Sequence, residues 1–395
     1  MLNERLFGLS DYPFARLASL LKDLTPAQGL APIDLSIGEP KFGPPALIKP
    51  ILQDNFDTYG RYPPVPGTPE LRQAIARWLV RRYALPQGLI SGDSNVIPLS
   101  GTREGLFMLA LAVLPQQKGG GKPIVLMPNP FYQVYKGGAL AAGGEPRYLE
   151  ATAENGFVPP LCSVPDPLWS RTALVYLCSP SNPQGAVADR AYLEQAIALA
   201  RRHDFVLAID ECYAEIYDKA PPVGGLEVAA ASGSLDNVVV FHSLSKRSSA
   251  PGLRSGFCAG DARVIALFKN LRSYAAAGMS FPVMAAATAL WQEESHVEAT
   301  RARYRAAFDA AERSLGNRFG FRRPGGGFFL WLDVGDGERA ARTLWEKAAV
   351  KVLPGAYLTH AEEGEPNRGA PYARLALVHD AAVIAEAAGR IAKVL

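Results

Sequence analysis

The sequence predicts an α/β protein of two domains: a large one built on a mainly parallel sheet covered by helices, and a smaller α+β one. Apolar, β-rich runs alternate along the chain with helical stretches. Several runs are apolar at nearly every position, as strands of a parallel sheet are when both faces are buried. The length of 395 residues favours two domains, because one hydrophobic core rarely organises so long a chain.

Five apolar runs are the candidate strands of the large domain, which we expect to span residues 46–285. They lie at residues 123–128, 172–177, 205–210, 237–243 and 254–260. The stretch 189–204, between two of these runs, places Leu193, Ile197 and Ala200 on one helical face. Strand, helix and strand in succession are typical of a parallel sheet.

The chain changes character after about residue 285. A long charged helix is predicted over residues 291–315, with two further helices after it. Strand-like runs follow the long helix at residues 327–334, 350–354 and 373–378. Because we expect the Pro-rich opening segment to pack here, the small domain is predicted to comprise residues 1–45 and 286–395.

Composition indicates a globular protein and argues against several partners. Apolar residues make up 48% of the chain and charged residues 20%, which is ordinary for folded domains. The net charge is only +3, and no basic stripe is interleaved with aromatic residues, so we expect no nucleic-acid partner. The longest apolar run, 106–114, is shorter than the ~18 residues of a membrane span. It is expected to form a buried helix instead.

The cysteines and the N-terminus lead us to expect a cytoplasmic protein. Cys162, Cys178, Cys212 and Cys258 lie far apart without a CxxC spacing, which favours reduced thiols over disulfides or a metal site. Charged residues interrupt each short apolar run near the N-terminus, so we expect no signal peptide.

Polar residues follow several of the predicted strands. Ser100 and Gly101 end a strand-like run, and Thr102 is a candidate N-cap of the helix that follows. The exposed N–H groups of such a helix start bind anions, although this pattern alone favours an ordinary capped helix over a phosphate site. Asn182 follows a strand and belongs either to a simple turn or to a ligand site. Asp210 ends another strand and is either a helix cap or part of the same ligand site.

The segment SLSKRSSAPGLRSG, residues 243–256, surrounds Lys246 with hydroxyl groups and cations. If these polar groups meet at one edge of the sheet, they place an anion cradle, an amide, a carboxylate and an amine together. A lysine beside a phosphate site, with an acid that holds a pyridinium nitrogen, is what pyridoxal 5′-phosphate (PLP) chemistry requires. Nearby cations and partial burial are expected to lower the pKa of Lys246.

Three motifs, in order and spacing, resemble those of class I/II aminotransferases, PLP enzymes of fold type I. They are SNPQG (181–185), DECY (210–213) and the lysine segment 243–256. The resemblance extends from LSIGEP (35–40) to ARLALV (373–378), and the lysine segment is most similar to that of succinyldiaminopimelate aminotransferases. It implies a seven-stranded, mainly parallel sheet and a homodimer with shared active sites.

The resemblance implies a role for each matched residue around the cofactor. Lys246 would bind PLP covalently and act as the catalytic base, and Asp210 would hold the ring nitrogen protonated. Asn182 and Tyr213 would hydrogen-bond the phenolic oxygen of the ring. The groups that would bind the phosphate are the side chains of Ser243, Ser245 and Arg254 and the backbone N–H groups of Gly101, Thr102 and Arg103.

Two aromatic residues would complete the cofactor site. Tyr132 matches the ring that stacks on PLP, although it is also a plausible core residue and Phe131 is a rival. Tyr62 matches the tyrosine that reaches the phosphate of the neighbouring subunit. A loop tyrosine ahead of a helix that begins at Thr68 and Pro69 is the alternative.

For the substrate, Arg374, Asn182 and the backbone of Gly38 would bind the α-carboxylate. A distal carboxylate would need a further cation, and the sequence leaves three candidates open. These candidates are Arg61, Arg103 and Arg323. We expect Arg247 to be a solvated neighbour of Lys246 without a role of its own.

The function implied is transfer of an amino group between N-succinyl-LL-2,6-diaminopimelate and 2-oxoglutarate in lysine and diaminopimelate biosynthesis. Alternatives are an aminotransferase for aromatic amino acids, methionine or unacylated diaminopimelate, and a PLP-dependent β-lyase. A DNA-binding regulator of the same fold is disfavoured, because no room for a winged-helix domain exists before Ser36.

Overall fold

The computed structural model describes residues 2–9 and 12–395. The predicted small-domain segment 1–45 therefore includes three residues, 1, 10 and 11, that lie outside the described part. Among the described residues, no helix is both long enough and apolar enough to cross a membrane.

Within these residues, helices and strands alternate over most of the chain. The α-helices are α1 (Pro13–Leu21), α2 (Ile48–Asp54), α3 (Pro69–Tyr83), α4 (Thr102–Val113), α5 (Gln133–Ala141), α6 (Asp166–Arg171), α7 (Arg190–His203), α8 (Gly225–Ala230), α9 (Leu244–Arg247), α10 (Ala262–Ala275), α11 (Phe281–Gln292), α12 (Ser295–Leu315), α13 (Gly337–Ala348) and α14 (Ala381–Val394). The strands are β1 (Ile33–Asp34), β2 (Val96–Leu99), β3 (Ile124–Asn129), β4 (Glu145–Glu150), β5 (Thr172–Cys178), β6 (Val206–Asp210), β7 (Val238–Ser243), β8 (Gly256–Gly260), β9 (Phe329–Asp333), β10 (Val350–Lys351), β11 (Leu353–Pro354) and β12 (Tyr372–Ala376).

The large sheet has seven strands in the order β2-β8-β7-β6-β5-β3-β4. The strands from β7 to β4 pair in parallel, whereas β8 runs antiparallel to both β7 and β2. The predicted α/β class with a mainly parallel sheet is therefore confirmed, and the five candidate runs are strands β3, β5, β6, β7 and β8. Strand β4 escaped prediction because it lies at the sheet edge and carries Glu145, Arg147 and Glu150.

Helices cover both faces of this sheet. Side chains alternate between the two faces along a strand, so Leu207 and Ile209 of β6 join one core and Ala208 joins the other. On the first face the core includes Trp78 of α3 and Trp291 of α11, both almost fully buried. On the second face the core is formed with α4, α5 and α10.

A separate core forms around the last third of the chain. Strands β11, β12 and β9 make an antiparallel sheet in that order, and β1 pairs in parallel with β10. Ile33 and Leu35 of the opening segment pack into this core with α12, α13 and α14. This packing agrees with the expected small domain, and its boundaries at residues 45 and 285 stay a prediction.

Two helix starts differ from the sequence analysis. The predicted helix over residues 291–315 is two helices, because the chain breaks between α11 and α12. There the Glu293 carboxylate accepts the backbone N–H of Ser295 at 2.6 Å and of His296 at 3.3 Å, which starts a new helix. Thr102 was predicted as an N-cap, but Gly101 is the N-cap and Thr102 is the first helical residue.

Candidate active site

The carboxyl ends of β5, β6 and β7 open onto a cavity of about 430 Å³. Most of the predicted site residues meet in its wall. Those present are Gly38, Thr102, Arg103, Tyr132, Asn182, Asp210, Tyr213, Ser243, Ser245, Lys246, Arg254 and Arg374. Gly101 lies beside the wall at the start of α4, and Tyr62 lies outside it.

Lys246 projects into this cavity from the short helix α9. Its Nζ donates a hydrogen bond to the Gly38 carbonyl oxygen at 2.5 Å and lies 5.2 Å from the centre of the Phe328 ring. Burial lowers the pKa of Lys246 to about 8, and the nearby cations Arg374 and Arg254 act in the same direction. A larger share of this amine is therefore neutral, and so nucleophilic, near physiological pH than for a free lysine.

The N-terminus of α4 forms an anion cradle. Gly101 is the N-cap of α4 and has a φ of 88°, a conformation that favours glycine. Thr102 and Arg103, whose N–H groups have no partner within the helix, line the cavity. A Cβ atom at position 101 would overlap the Arg254 guanidinium, so the absent side chain leaves room for this cation. Arg254 is exposed, donates to the Pro251 carbonyl oxygen at 2.9 Å, and forms no ion pair within the described residues.

Two serine hydroxyl groups lie beside the cradle. Ser243 ends β7, and its Oγ accepts the backbone N–H of Ser245 at 3.1 Å, which leaves its own proton to donate. Both serines are buried and line the cavity. Hydroxyl groups, helix N–H groups and a guanidinium together match the acceptor oxygens of a phosphate.

Asp210 ends β6 as a buried carboxylate with an exposed fraction of 5%. Its oxygens accept the Tyr135 hydroxyl at 2.8 Å and the Cys212 backbone N–H at 3.2 Å. Burial raises the pKa of Asp210, and these hydrogen bonds oppose the rise. No ion pair to Asp210 forms within residues 2–9 and 12–395, so a cationic ligand atom would supply the missing charge.

Tyr135 is a site residue that the sequence analysis missed. It is fully buried on α5, stacks on Tyr176 with 4.5 Å between ring centres, and fixes the Asp210 carboxylate. In sequence it is one aromatic residue on an apolar helix face. From the sequence alone such a residue is predicted to be a core residue, because its contact with a carboxylate is visible only in the folded chain.

Arg374 lies at the end of the cavity formed by the small antiparallel sheet. It is buried, donates to Asn182 Oδ1 at 3.1 Å and to the Ser36 carbonyl oxygen at 2.6 Å, and lies over the Phe329 ring. Burial lowers the pKa of Arg374 to about 10. Its hydrogen bonds in the described chain reach only neutral acceptors, and its Nε has none there. A buried cation in this setting fits a carboxylate ligand.

Asn182, Tyr213 and Gly38 are held close to these charges. The Asn182 side-chain oxygen is used by Arg374, which leaves the amide N–H groups to donate elsewhere. The Tyr213 ring packs edge-on against Phe328 and Phe329. At Gly38 a Cβ would come within 2.6 Å of the Phe329 ring, so only glycine fits this close approach.

Both aromatic candidates for stacking on a cofactor line the cavity. Phe131 is buried against Tyr148, with 5.1 Å between ring centres. Tyr132 is half-buried, and its hydroxyl accepts from Arg103 Nε at 2.8 Å. The greater exposure of Tyr132 to the cavity favours it, and the assignment stays a prediction.

The remaining sequence candidates lie elsewhere. Tyr62 is fully exposed, and Arg61 lies over the Phe281 ring, outside the cavity wall. Arg323 lies outside the wall and forms ion pairs with three carboxylates, so the structure removes it as an anion site. The expectation for Arg247 was wrong, because its exposed fraction is 2% and it lies against the rings of Trp78 and Trp291.

The sequence analysis also missed the part of the wall that comes from near the N-terminus. Tyr12, Pro13, Phe14, Ile37 and Glu39 all line the cavity. Ile37 and Glu39 flank Gly38 within LSIGEP (35–40), but no signal in the sequence assigned their side chains to the cavity. Tyr12, Pro13 and Phe14 carry no motif, and the packing of the start of α1 brings them to the cavity.

The residues of this cavity fit PLP at each of its polar groups. The cradle of α4, the serines and Arg254 match a phosphate, and buried Asp210 matches a protonated ring nitrogen. Lys246 presents an amine of lowered pKa to an aldehyde, and Arg374 remains for an anionic substrate. The orphan charges of Asp210 and Arg374 are the structural features that such a pair of ligands would satisfy.

Comparisons with known proteins agree with this fit. The family model for aminotransferase class I and II matches residues 31–391. An LL-diaminopimelate aminotransferase of Desulforudis audaxviator is 33% identical over 369 residues, covering 91% of each chain. An aminotransferase of Neisseria meningitidis has a TM-score of 0.93 at 41% identity, covering 99% of each chain. A probable N-succinyldiaminopimelate aminotransferase of Thermus thermophilus has a TM-score of 0.84 at 25% identity, covering 97% of this chain and 100% of its own.

Replacing Gly101 by alanine should weaken PLP binding. The new Cβ would meet the Arg254 guanidinium, and the positive φ would be strained, so the cradle should open. We expect the dissociation constant for PLP, measured by absorbance titration, to rise about tenfold or more. Gly389→Ala, with open space around its Cβ on α14, is the matched control and should bind PLP normally. Normal binding by Gly101→Ala would contradict the cradle.

The lowered pKa of Lys246 predicts a pH profile for the cofactor-free protein. Capture of PLP by this amine, fixed by borohydride and measured by mass spectrometry, should rise with pH as the amine loses its proton. The midpoint should lie at about 8, well below the ~10.4 of a free lysine. Nα-acetyl-lysine is the control for the solution value. A protein midpoint equal to that of the free amine would show that Lys246 is not held in a desolvated position.

Proposed function

The chain belongs to the class I and II aminotransferase family, and we propose that it transfers an amino group between N-succinyl-LL-2,6-diaminopimelate and 2-oxoglutarate. The enzyme is PLP-dependent, as its family is. The observation that carries the proposal is a buried arginine, Arg374, that the described chain leaves without an anionic partner in the same cavity as Lys246. Such a pair suits a substrate that carries a carboxylate next to its reacting carbon.

Different residues of the cavity would bind different groups of the cofactor. Bound PLP supplies an electron sink for the substrate carbon that loses its proton. Asp210 would keep the ring nitrogen protonated, because a buried carboxylate stabilises a neighbouring cation. Asn182 and Tyr213 would donate to the phenolic oxygen, and Tyr132 would pack on the ring.

The phosphate is held by the elements that follow β2 and β7. The N–H groups at the start of α4 and the hydroxyls of Ser243 and Ser245 would donate to its oxygens. Arg254 would add the planar guanidinium that suits a phosphate. Phosphate charge and helix dipole reinforce each other, so the cofactor is anchored at the end away from the reacting atoms.

Lys246 and Arg374 act on the substrate. Arg374 binds the α-carboxylate by two parallel hydrogen bonds, with Asn182 and the Gly38 backbone alongside, which places the substrate Cα near Lys246 Nζ. Lys246 Nζ would take the proton from the substrate Cα as a general base. Its lowered pKa matches this task near neutral pH. Over the complete reaction the amino donor becomes a 2-oxo acid and 2-oxoglutarate becomes glutamate, so the amino group lost by one substrate is gained by the other.

Arg103 is our candidate for the distal carboxylate of the donor. Among the described residues of the wall, four are basic, and Lys246, Arg254 and Arg374 have the roles above. The Arg103 guanidinium donates to the hydroxyls of Tyr132 at 2.8 Å and Tyr12 at 3.4 Å, which orient it at the cavity. These contacts support a place for the succinyl carboxylate at the cavity mouth.

Unacylated diaminopimelate is the second candidate donor. Several relatives are named LL-diaminopimelate aminotransferases, and the Glu39 carboxylate lies in the cavity wall. A carboxylate there suits the distal ammonium group that an unacylated donor carries and a succinylated one lacks. Both donors place the enzyme in lysine and diaminopimelate biosynthesis, in the cytoplasm.

A surface of exposed aromatic residues supports a homodimer with shared active sites. Tyr62 is fully exposed, and Phe56, Tyr59 and Tyr274 expose more than half of their side chains. A second copy of the chain that covers these rings would remove their apolar surface from water, and this would stabilise the dimer. In such a dimer Tyr62 would reach the phosphate held in the other subunit.

A panel of amino donors, with 2-oxoglutarate as acceptor and glutamate release as readout, tests the function. N-succinyl-diaminopimelate should have the highest kcat/KM, above unacylated diaminopimelate, phenylalanine and methionine. Lys246→Ala should lose turnover with every donor. Arg103→Gln should raise KM for the succinylated donor by about tenfold, because one charge-assisted contact is lost.

Each outcome of this panel has a distinct meaning. A preference for unacylated diaminopimelate would show that the proposed donor is wrong, and it would favour Glu39 as the group that binds the distal ammonium. A preference for aromatic amino acids or methionine, or elimination in place of transamination, would overturn the pathway. Full turnover by Lys246→Ala would overturn the mechanism.

Mixed dimers test the shared site. Lys246→Ala and Tyr62→Ala homodimers should both be impaired, the first by loss of the amine and the second by loss of a phosphate contact. A heterodimer of the two variants should regain one intact site per dimer, measured as kcat of the purified mixed species. If Tyr62 serves its own subunit instead, the heterodimer will contain no intact site and activity will not return.

A further inference from the structure

The two residues after Lys246 turn away from the cavity and bind the junction between α11 and α12. Arg247 Nη1 donates to the Leu290 carbonyl oxygen at 2.7 Å. Its Nη2 donates to the Glu293 carbonyl oxygen at 3.3 Å and to Glu294 Oε1 at 2.7 Å. A guanidinium thus caps the C-terminal end of α11, where carbonyl groups lack helical partners and the helix dipole favours a cation.

Arg247 is among the most deeply buried charges of the protein. Its exposed fraction is 2%, and its guanidinium lies 4.9 Å from the ring centre of Trp291 and 5.6 Å from that of Trp78. Burial lowers the pKa of Arg247, and Glu294 opposes this. So buried a cation is tolerated because carbonyl groups, a carboxylate and two indole faces surround it.

Ser248 makes a second connection to the same junction. It is fully buried, and its Oγ lies 2.8 Å from His296 Nε2, while His296 Nδ1 contacts the Glu293 carboxylate. That carboxylate only accepts, so Nδ1 carries a proton. Burial lowers the pKa of His296, and in the neutral ring that this favours, Nε2 accepts from the Ser248 hydroxyl. Glu293 also accepts the N–H groups that begin α12, so one carboxylate joins the helix start to the serine.

The Ser248, His296 and Glu293 contacts follow the order of a Ser-His-acid triad, but the burial of Ser248 excludes substrate from it. The junction is instead a place where the chain passes between two cores. Leu290 and Trp291 of α11 belong to the core of the large sheet, and α12 packs with α14 around the second core. The turn that carries Lys246 is therefore tied to the point where these cores connect.

We propose that Arg247 and Ser248 are positioning residues that clamp the Lys246 turn to the α11–α12 junction and so place Nζ for proton transfer. Helix α9 has only four residues, too few to hold a side chain in place by its own hydrogen bonds. The clamp supplies that rigidity from behind, through contacts that do not touch substrate. The inference rests on the proposed role of Lys246 and not on the identity of the donor.

The test compares Arg247→Met, Arg247→Lys and Ser248→Ala with Arg390→Met. Methionine keeps much of the length and the apolar packing against the indole rings of Trp78 and Trp291, but it removes the charge and the guanidinium donors. Arg390 is the control, because it also donates to backbone carbonyls, those of Ala31 and Ala348, but it belongs to α14, which packs on the second core and contributes no residue to the cavity wall. Four quantities are measured for each variant: kcat, KM, Tm and the pH midpoint of PLP capture by the cofactor-free protein.

Arg247→Met should lower kcat about 10- to 100-fold with little change in KM, because the amine is misplaced while the substrate sites remain. The capture midpoint should rise from about 8 toward the value of a free lysine, since Nζ would no longer be held in its desolvated position. Arg247→Lys should have a kcat and a capture midpoint between those of the wild type and of Arg247→Met. Ser248→Ala should change kcat and the midpoint in the same directions as Arg247→Met, but by less. Arg390→Met should lower Tm alone.

An unchanged kcat and midpoint in Arg247→Met and Ser248→Ala, whatever their Tm, would overturn the clamp. If Arg247→Met does not fold, Ser248→Ala decides, because it removes one hydroxyl and leaves the cation in place. The capture assay needs no turnover. A failure of the donor assignment would therefore appear in the panel of donors and leave this measurement intact.

Discussion

The desolvation of three charges at one edge of a sheet is the constraint on which the rest of the site depends. Lys246, Asp210 and Arg374 are each largely withdrawn from water, and none of them forms an ion pair within the described chain. Leaving buried charges in this state costs several kcal/mol each. Bound cofactor and substrate offset that cost by supplying the opposite charges, so the cavity is selective for a ligand with this arrangement of groups.

Close backbone approaches make that arrangement possible. Gly101 leaves room for Arg254 over the start of α4, and Gly38 lets its segment pass against Phe329 and present a carbonyl oxygen to Lys246. Both glycines bring a charged side chain against backbone, where a Cβ would hold the chains apart. The positions of the reactive groups therefore depend on the path of the main chain as well as on the side chains.

A layer of supporting contacts holds the reactive groups from behind. Tyr135 fixes the Asp210 carboxylate, and Arg247 with Ser248 holds the turn of Lys246. In each case a buried polar group is satisfied by partners from a distant part of the chain. These contacts restrict motion where a small displacement of Nζ or of the carboxylate would slow proton transfer.

Apolar runs and short motifs are local signals, so they were enough to predict the fold class, the strands β3, β5, β6, β7 and β8, and the residues that follow these strands in the cavity. Three findings required the folded chain: which of Arg61, Arg103 and Arg323 faces the cavity, that Arg247 is buried, and that Tyr12 and Tyr135 belong to the site. An arginine or a tyrosine has the same local pattern whether it meets water, a carboxylate or an indole ring. What it meets is set by elements from other parts of the chain, and burial then determines whether its polar group is solvated, paired or available to a ligand.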